Sequence, residues 1–349
     1  MSSLSNPLRI QRLIPYDWTK AILFRMSPET SHHYSLKWLK KAYRLKLTGP
    51  SEPLKGSSVT LAGLEFPNKV GLAAGLDKNA TYIDPLGSLG FGFIEVGTVT
   101  PKPQPGNPQP RLFRLTNHNA IINRMGFNND GLEPMLDHLK KRHFTGPLGV
   151  NIGKNKDTPA EEAINDYVIA MTAVFPYADY LTANISSPNT KGLRDLQEEK
   201  ALSAFLAGLM DAYKALCAKY KKNPPLFLKV APDLEEHQID DISNLLLKHE
   251  VPGLIVSNTT LAREAVKTHI YGHEAGGLSG QPLKEHSTEV LRKFRAKLGA
   301  DFPIIGVGGI FSAQDAQEKL DAGANLVQIY TGFIYKGPQL VKDIVDGVR

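Results

Sequence analysis

The chain has 349 residues, of which 42% are hydrophobic and 22% are charged, which is the composition of an ordinary globular protein. This excludes a disordered chain, a collagen-like chain and a disulfide-rich scaffold. The single cysteine, Cys217, excludes an internal disulfide and a cysteine-based metal cluster. The length suits two domains of ordinary size or one large α/β domain with a single core.

The net charge of +6 is concentrated near the N-terminus. Residues 1–55 carry ten Lys or Arg and three Asp or Glu, a balance of +7, whereas the rest of the chain carries 31 basic and 32 acidic groups, a balance of −1. Both tryptophans, Trp18 and Trp38, lie in the same basic segment. Such asymmetry indicates contact with an anionic surface, either a membrane or a nucleic acid.

Two short helices are predicted in this segment. The first runs over Trp18–Arg25 with Asp17 as its N-cap, and the second runs from about residue 28 to residue 45 after Ser27-Pro28-Glu29. In the second helix, apolar and aromatic residues recur at helical spacing with basic residues interleaved among them. Gly49-Pro50 then breaks the pattern.

Basic, Trp-bearing amphipathic helices are typical of an element that lies in a membrane interface. The alternative is a helical hairpin that docks on the main domain through ordinary apolar contacts. We expect no nucleic acid partner, because the aromatic residues lie among aliphatic ones and form no stacking platform. The sequence has no stretch of 18 apolar residues and no signal-peptide pattern, so we expect a peripheral segment.

From residue 56 onward, apolar strand-like runs alternate with helical stretches, and we predict that residues 56–349 form one domain after the 1–55 segment. The eight predicted strands are Val70–Ala74, Phe93–Gly97, Leu148–Ile152, Tyr180–Asn184, Leu226–Val230, Gly253–Ser257, Pro303–Val307 and Leu326–Tyr330. The predicted helices between them include Ala160–Val174, Glu198–Tyr220, Glu235–His249, Ser287–Leu298 and Ala313–Ala322.

Alternation of strand and helix favours a parallel sheet, and eight such units favour an α/β fold of the (β/α)8 TIM barrel type. A doubly wound sheet is the alternative, but it needs a GxGxxG turn after the first strand, and Ala73-Ala74-Gly75-Leu76-Asp77-Lys78 is not one. We therefore predict a TIM barrel with an N-terminal amphipathic two-helix extension.

Polar or glycine-rich residues follow every predicted strand, for example Asn151-Ile152-Gly153-Lys154 and Ser257-Asn258-Thr259-Thr260. In a barrel, all of these strand ends converge on the one face where active sites are built. Each of these residues taken singly is also what a simple turn requires. Their presence at all eight strand ends favours a functional site at that face.

A cofactor phosphate could bind after the last two strands. Gly308-Gly309 and Thr331-Gly332 stand there, and small residues let backbone N–H groups approach an anion. A mononucleotide such as FMN fits better than NAD, because the chain has no dinucleotide fingerprint. Lys229 lies inside an apolar strand, where it could hold negative charge on a reduced flavin, form a Schiff base, or simply face outward.

An asparagine-rich set stands near the same strand ends, with Lys78 as a possible cation. Asparagine offers two donors and an acceptor without charge, which suits a small planar ligand that carries amides or a carboxylate. The four members of the set are Asn123, Asn184, Asn189 and Asn258.

A serine is the candidate reactive group. Ser187 is followed by Pro188, which stiffens the loop and could hold the hydroxyl in a fixed place. No His or Asp adjoins it, so the sequence gives no sign of a catalytic triad. No HExxH or other metal-ligand spacing occurs, and we predict no metal site.

Taken together, seven motifs closely resemble those of the dihydroorotate dehydrogenase family over nearly the whole chain. They are Ala73-Ala74-Gly75-Leu76-Asp77-Lys78, Asn123-Arg124-Met125-Gly126-Phe127, Asn151-Ile152-Gly153-Lys154-Asn155, Asn184-Ile185-Ser186-Ser187-Pro188-Asn189-Thr190, Gly276-Gly277-Leu278-Ser279-Gly280, Gly306-Val307-Gly308-Gly309-Ile310 and Tyr330-Thr331-Gly332-Phe333-Ile334-Tyr335-Lys336-Gly337-Pro338. The N-terminal helices and the serine at position 187 resemble the quinone-dependent, membrane-associated class 2 enzymes, whereas class 1 enzymes carry a cysteine as base and lack the helices.

The resemblance implies oxidation of dihydroorotate in pyrimidine synthesis, with Ser187 as the base that takes the C5 proton and one FMN per chain as acceptor of the C6 hydride. The implied substrate residues are Lys78, Asn123, Arg124, Met125, Gly126, Phe127, Asn184, Asn189, Asn258 and Thr259. The implied FMN residues are Ala74, Gly75, Leu76, Asp77, Lys78, Thr98, Asn151, Asn184, Lys229, Ser257, Gly280, Gly309, Tyr330 and Thr331.

The resemblance further implies that ubiquinone or menaquinone enters between the N-terminal helices and reoxidises the flavin. By similarity His32, Arg114 and Tyr330 line the inner end of that tunnel. We expect a monomer that is peripheral on the cytoplasmic face of a bacterial inner membrane, with the mitochondrial inner membrane as the alternative. Two rival functions are a Schiff-base aldolase that uses Lys229 and a membrane-binding barrel without catalysis.

Overall fold

The computed structural model describes residues 15–349, so the first 14 residues of the predicted N-terminal segment lie outside the described residues. Eight parallel strands close into a barrel, because each strand pairs with its neighbours in one continuous ring. In ring order the strands are β3 (Val70–Leu72), β4 (Phe93–Val99), β7 (Leu148–Ile152), β8 (Tyr180–Asn184), β9 (Leu226–Val230), β10 (Gly253–Val256), β12 (Ile304–Val307) and β13 (Leu326–Ile329). The eight predicted strands are these eight, and the predicted TIM barrel is confirmed.

Helices follow the barrel strands and cover the outside of the ring, as the alternation predicts. Within residues 15–349 the helices are α1 (Tyr16–Leu23), α2 (Pro28–Arg44), α3 (Ile83–Gly87), α4 (Leu132–Leu139), α5 (Ala163–Val174), α6 (Glu199–Tyr220), α7 (Glu236–Lys248), α8 (Lys284–Leu298), α9 (Ala313–Asp321), α10 (Thr331–Lys336) and α11 (Gln339–Gly347). The five helices predicted in the barrel domain are present, with ends that differ from the prediction by at most three residues.

The two predicted N-terminal helices are present, with one correction. Helix α1 begins at Tyr16 after Pro15, so the predicted N-cap Asp17 lies inside the first turn. There its carboxylate bonds to Lys20 at 2.8 Å, and a negative charge favours this end of a helix dipole. Helix α2 begins as predicted, because the Ser27 side chain accepts the N–H of Thr30.

Two small antiparallel sheets lie outside the predicted strands. The hairpin of β1 (Val59–Leu61) and β2 (Leu64–Phe66) places Phe66 against Phe93 of the barrel interior. The second sheet joins β5 (Leu112–Leu115), β6 (Ala120–Asn123) and β11 (Gly277–Gly280) beside the strand ends. Their strands have only three or four residues, too few for a clear period-two pattern, and β11 pairs with a segment more than 150 residues away.

The lower half of the barrel interior is filled by large aromatic side chains. Tyr180 packs edge-on against Phe93 and Phe227, with ring centroids 6.2 and 5.7 Å apart. Gly149 leaves space for the ring of Tyr180, because a Cβ on that residue would lie 2.0 Å from the ring. The aromatic cluster closes one end of the barrel, so a ligand can enter only from the strand ends opposite.

One described helix, Glu199–Tyr220, is long and apolar enough to span a bilayer by length and composition alone. Such a match is weak, because core helices of soluble folds pass the same test. This helix α6 lies between two barrel strands, and it buries Leu202, Leu206 and Leu209 against the barrel. Its position in the barrel explains its apolar character.

Helices α1 and α2 pack on the barrel near β5 and α10. Glu29 of α2 receives two bonds from the guanidinium of Arg111, at 2.6 Å from Nη2 and 3.2 Å from Nε. The hydroxyl of Tyr16 in α1 donates to the carbonyl of Ile334 at 2.6 Å. Each of the two helices is therefore fixed to the barrel near its N-terminus.

Candidate active site

A cleft opens at the carboxyl ends of the barrel strands and holds about 1010 Å³ of empty space up to its mouth. Residues from the ends of most barrel strands line it, as does part of the small sheet of β5, β6 and β11. This is the face on which barrels build active sites. The predicted residues that line it are Ala74, Gly75, Lys78, Thr98, Asn123, Met125, Gly126, Phe127, Asn184, Ser187, Asn189, Lys229, Ser257, Asn258, Thr259, Gly280, Gly309, Tyr330 and Thr331.

Ser187 stands in the loop after β8 and is 6% exposed. Its Oγ accepts the backbone N–H of Asn189 at 3.2 Å, which orients the hydroxyl within the loop. Asn189 in turn donates from Nδ2 to the carbonyl of Asn123 at 3.1 Å. The serine hydroxyl therefore lies at the cleft in a fixed loop that is tied to the small sheet.

A hydrogen-bonded network fixes the asparagines at the centre of the cleft. Asn184 accepts the hydroxyl of Ser186 at 2.9 Å, and Asn258 donates to the same hydroxyl at 2.9 Å. Asn184 also donates to Thr98 at 3.1 Å. The Oγ1 of Thr259 is buried at the cleft and has no hydrogen-bond partner among the described residues. The cleft thus presents oriented amides and a free hydroxyl, the groups that a polar planar ligand needs.

Lys78 supplies a cation at the cleft. Its Nζ donates to the carbonyl of Gly75 at 2.7 Å and lies 3.5 Å from the sulfur of Met125. Burial and the nearby Arg111 guanidinium lower the pKa of Lys78 to about 8, while Glu29 and Asp77 oppose part of the shift. Near neutral pH the side chain is therefore mostly charged, and it can attract a carboxylate.

Lys229 points into the barrel, since it is buried and lines the cleft. Burial lowers its pKa, and the carboxylate of Glu95 below it raises that pKa in part. Glu95 is fully buried and accepts the amides of Asn151 and Gln328, each at 2.7 Å. The floor of the cleft is therefore a polar layer of the barrel interior, above the aromatic cluster.

The turn after β12 is shaped for close approach by an anion. Gly308 and Gly309 both have positive φ, +119° and +72°. A Cβ on Gly309 would lie 2.4 Å from the Cα of Lys284, so only glycine fits there. Across the turn, the hydroxyls of Ser279 and Thr331 lie 2.8 Å apart. The glycine turn and these two hydroxyls therefore line one end of the cleft, where small residues would let an anion approach the backbone.

A second, apolar cavity lies between helices α1 and α2 and the barrel, with about 1600 Å³ of empty space when the solvent-open mouth is included. Leu39 and Ala42 of α2 line it on one side, and Leu112 and Ile121 line it on the other. Tyr330 lines both this cavity and the cleft, and burial raises its pKa to about 12. The helices therefore enclose an apolar path that ends beside the polar site.

His32 and Arg114 also line the apolar cavity. Burial lowers the pKa of His32 to about 3, and the charge of Lys78 acts in the same direction, so the imidazole is neutral near pH 7. Arg114 stacks over the ring of Phe24 at 4.5 Å and donates to the carbonyl of Met26. It thereby ties the turn between α1 and α2 to the barrel.

The outer surface of the two helices is unusually apolar for a protein surface. Trp18 is 73% exposed and Trp38 is 55% exposed, and Ile22 and Leu45 are exposed as well. Exposed basic residues, including Lys37 and Lys41, lie on the same element. Exposed tryptophans beside lysines are typical of a surface that contacts a lipid interface.

The comparisons with known proteins agree with this geometry. Residues 57–349 match the sequence profile described as dihydroorotate dehydrogenase. The chain is 54% identical to the dihydroorotate dehydrogenase (quinone) of Paraburkholderia phymatum over 94% of this chain and 96% of that protein. It is 52% identical to the dihydroorotate dehydrogenase (quinone) of Acinetobacter baylyi over 95% and 99% of the two chains.

The chain belongs to the dihydroorotate dehydrogenase family. A solved structure of the Eimeria tenella dihydroorotate dehydrogenase with ferulenol superposes with a TM-score of 0.81 at 39% identity, over 92% of this chain and 90% of that one. The family resemblance inferred from the seven motifs is therefore confirmed, and so is the enzyme class that it implied.

Four residues that the dihydroorotate dehydrogenase resemblance implied do not line the cleft. Arg124 turns away to pair with Glu274 at 2.6 Å, and Leu76 lines the apolar cavity instead. Asp77 is buried, accepts the N–H groups of two following residues, and has its pKa raised to about 6 by burial. Asn151 lies one layer down, where it bonds to Glu95 and Thr98. These four side chains therefore lie next to the cleft and do not line it.

Several cleft residues were not singled out from the sequence. Gln328 is the residue with the clearest sequence signal, because it is a polar residue inside a fully buried strand, as Lys229 is. The same signal marks Glu95 within β4. Period-two alternation would have placed both side chains inside the barrel. The remaining lining residues that were not predicted are Ala73, Ser279, Leu283, Val307, Ile310 and Ile329, whereas Gly308 and Gly332 belong to the predicted phosphate site.

Proposed function

We propose that this chain oxidises dihydroorotate to orotate in pyrimidine synthesis and delivers the electrons to a membrane quinone. One observation carries this proposal: among the described residues, Tyr330 is the one that lines both the polar cleft, which contains Ser187 and Lys229, and the apolar cavity under the helices. A polar substrate and a lipid-soluble oxidant need two such sites, separate and yet within reach of one redox group. The quinone enzymes similar to this chain support the same function.

We infer that FMN, one per chain, is the redox group between the two sites. The cleft fits it: the glycine turn Gly308–Gly309 lines the cleft, and Gln328 Oε1 is buried without a partner among the described residues. Lys229 and the backbone of Gly309 would hold the group, together with Thr331. When bound, FMN supplies the two-electron acceptor for the hydride that leaves C6 of dihydroorotate.

The side chains of the cleft would do the rest of the oxidation. Ser187 would take the proton from C5 as the C6 hydride leaves, which forms the C5–C6 double bond of orotate. Asn123, Asn189 and Asn258 would hold the ring amides, and Lys78 would attract the carboxylate. The buried, pre-oriented arrangement of these groups supports the assignment, because such a site loses little entropy on binding.

The quinone, either ubiquinone or menaquinone, would occupy the apolar cavity, with its head beside His32, Arg114 and Tyr330. The lining of the cavity supports this, because apolar side chains such as Leu39, Leu112 and Ile121 can bury an apolar tail. The quinone would enter between α1 and α2, whose exposed tryptophans support a peripheral position on the membrane. We place the chain, as a monomer, on an anionic lipid surface at the cytoplasmic face of a bacterial inner membrane.

A visible spectrum of the purified protein tests this proposal. We expect flavin absorbance, rapid bleaching when dihydroorotate is added without oxygen, and recovery of the absorbance when a quinone follows. A colourless protein whose lysine is trapped by borohydride in the presence of an aldehyde would instead support a Schiff-base aldolase. A flavin that dihydroorotate leaves unbleached would contradict the proposed substrate.

The pKa of Lys78 predicts how orotate binding depends on pH. The ammonium attracts the orotate carboxylate, and the pKa of about 8 means that this charge is lost as the pH rises through 8. Orotate affinity should therefore be highest below pH 8 and should fall above it. A flavin-perturbation titration between pH 6 and 10 measures this, and Lys78→Met should show weaker binding with no such fall. A wild-type affinity that is flat through pH 8 would contradict the role.

A further inference from the structure

Arg194 lies behind the cleft and joins the loops that carry Ser187 and Thr259. It lies on the short turn Arg194–Gln197 and is not among the residues that line the cleft. Its Nε donates to the carbonyl of Ser186 at 3.0 Å, and its Nη2 donates to the carbonyl of Thr259 at 2.8 Å. One guanidinium therefore holds the loop after β8 and the loop after β10 at the same time.

Asp233 completes this arrangement from the loop after β9. Its Oδ2 accepts Nη1 of Arg194 at 2.8 Å and the backbone N–H of Leu261 at 2.8 Å, and its Oδ1 accepts the hydroxyl of Thr260. The side chains of Arg194 and Asp233 are only 18% and 25% exposed, so water screens the pair less than it would at the surface. The pair connects three consecutive barrel loops at one point.

Other contacts also hold these two loops: Asn258 donates to the Ser186 hydroxyl at 2.9 Å, and Asn189 donates to the carbonyl of Asn123 at 3.1 Å. Among the described residues, the Ser187 hydroxyl bonds to the N–H of Asn189, within the same loop. The Thr259 hydroxyl has no hydrogen-bond partner among the described residues. Arg194 adds bonds to the carbonyl of Thr259 and to the carbonyl just before Ser187, so it acts directly on the peptide units that carry the two cleft hydroxyls.

We infer that Arg194, oriented by Asp233, is a positioning residue that sets Ser187 and Thr259 at the spacing needed for proton removal from the substrate. Arginine is suited to this task, because its planar fork of five donors reaches three acceptors in fixed directions, which lysine cannot do. A displacement of about 1 Å at the reacting groups can slow a reaction by roughly 100-fold. The predicted effect on the reaction rate rests on the proposed function. The contacts of Arg194 do not depend on that function.

The test compares Arg194→Ala, Arg194→Lys and Asp233→Asn with Arg292→Ala as matched control. Arg292 is exposed on helix α8 and pairs only with Glu289, one turn away, so its loss should leave all measurements at the wild-type value. Three quantities are measured on the full-length holoprotein: flavin reduction by dihydroorotate, reoxidation by a quinone after chemical reduction, and flavin content. The lysine and asparagine variants remain informative if the alanine variant folds poorly.

We expect the alanine variant to reduce flavin about 10- to 100-fold more slowly, with reoxidation and flavin content unchanged, because the quinone binds in the other cavity. The lysine variant should recover part of the rate, and the double variant with Asp233→Asn should be no slower than Arg194→Ala alone. Equal losses in both half-reactions, or a normal reduction rate, would overturn the inference.

Hydrogen exchange supplies a readout that needs no substrate. The amide of Asn189 bonds to Ser187 within the loop after β8, and the amide of Leu261 in the loop after β10 bonds to Asp233. Both amides should exchange faster in Arg194→Ala while the barrel strands keep wild-type protection. If dihydroorotate fails to bleach even the wild-type protein but exchange rises in these loops, the proposed function fails and the positioning contact stands. Unchanged exchange in both loops would overturn the positioning role, whatever the substrate proves to be.

Discussion

Replacing Ser187 by alanine is expected to slow flavin reduction by dihydroorotate by about 10²- to 10⁴-fold, the usual contribution of a general base. The hydroxyl lies at the cleft, and its removal leaves Asn123, Asn189 and Lys78 to bind the substrate as before. The rate constant should therefore fall while the affinity for orotate stays close to the wild-type value. Stopped-flow absorbance of the flavin measures the rate, and a spectral titration with orotate measures the affinity.

The pH dependence of this variant distinguishes a base from a packing role. Loss of the serine should slow flavin reduction most at lower pH, because hydroxide from solvent can partly replace the missing base only at higher pH. Ser203→Ala, on the outer helix α6, is the matched control and should reduce flavin at the wild-type rate throughout. A Ser187→Ala rate that matches the wild type, or a deficit that does not vary with pH, would remove the serine from proton transfer.

Removal of residues 1–50 should leave flavin reduction by dihydroorotate intact and impair turnover with long-chain quinones. The cleft is built by the barrel, whereas α1 and α2 form one wall of the apolar cavity. Losing contact with about 100 Å² of isoprenoid surface costs roughly 2.5 kcal/mol. That corresponds to about a 60-fold loss of affinity, so the KM for such a quinone should rise by a similar factor.

A pair of full-length variants makes the same test without a truncation. Ala42→Glu puts a carboxylate into the cavity wall, and Lys41→Glu puts the same side chain one residue away on the exposed surface. Assayed in detergent micelles, the first should lose long-chain quinone turnover and the second should keep it. In both variants, turnover with a short, water-soluble quinone should be faster than the turnover of Ala42→Glu with the long-chain quinone. Equal long-chain turnover in all of these proteins would contradict the assignment of the cavity.

The sequence by itself determined the barrel and the face on which the site lies. Eight apolar runs separated by helical stretches are compatible with few other folds. Because the strand ends of a parallel barrel converge, the sequence predicts that Ser187, Lys229 and Gly309 line one cleft, and they do. The N-terminal helices were also predictable, because helical periodicity and a Ser-Pro start are local signals.

Only the tertiary structure decided which side chains of each motif face the cleft. Arg124 and Met125 are adjacent in the sequence, yet one pairs with Glu274 outside the cleft and the other lines it. Short strands such as β11 left no periodic signal, because their pairing depends on partners distant in the chain. The contacts of Arg194 with Ser186 and Thr259 join loops from different strands, and no local pattern encodes such a contact. Local propensity fixes elements, whereas side-chain direction and long-range contacts are settled only when the whole core packs.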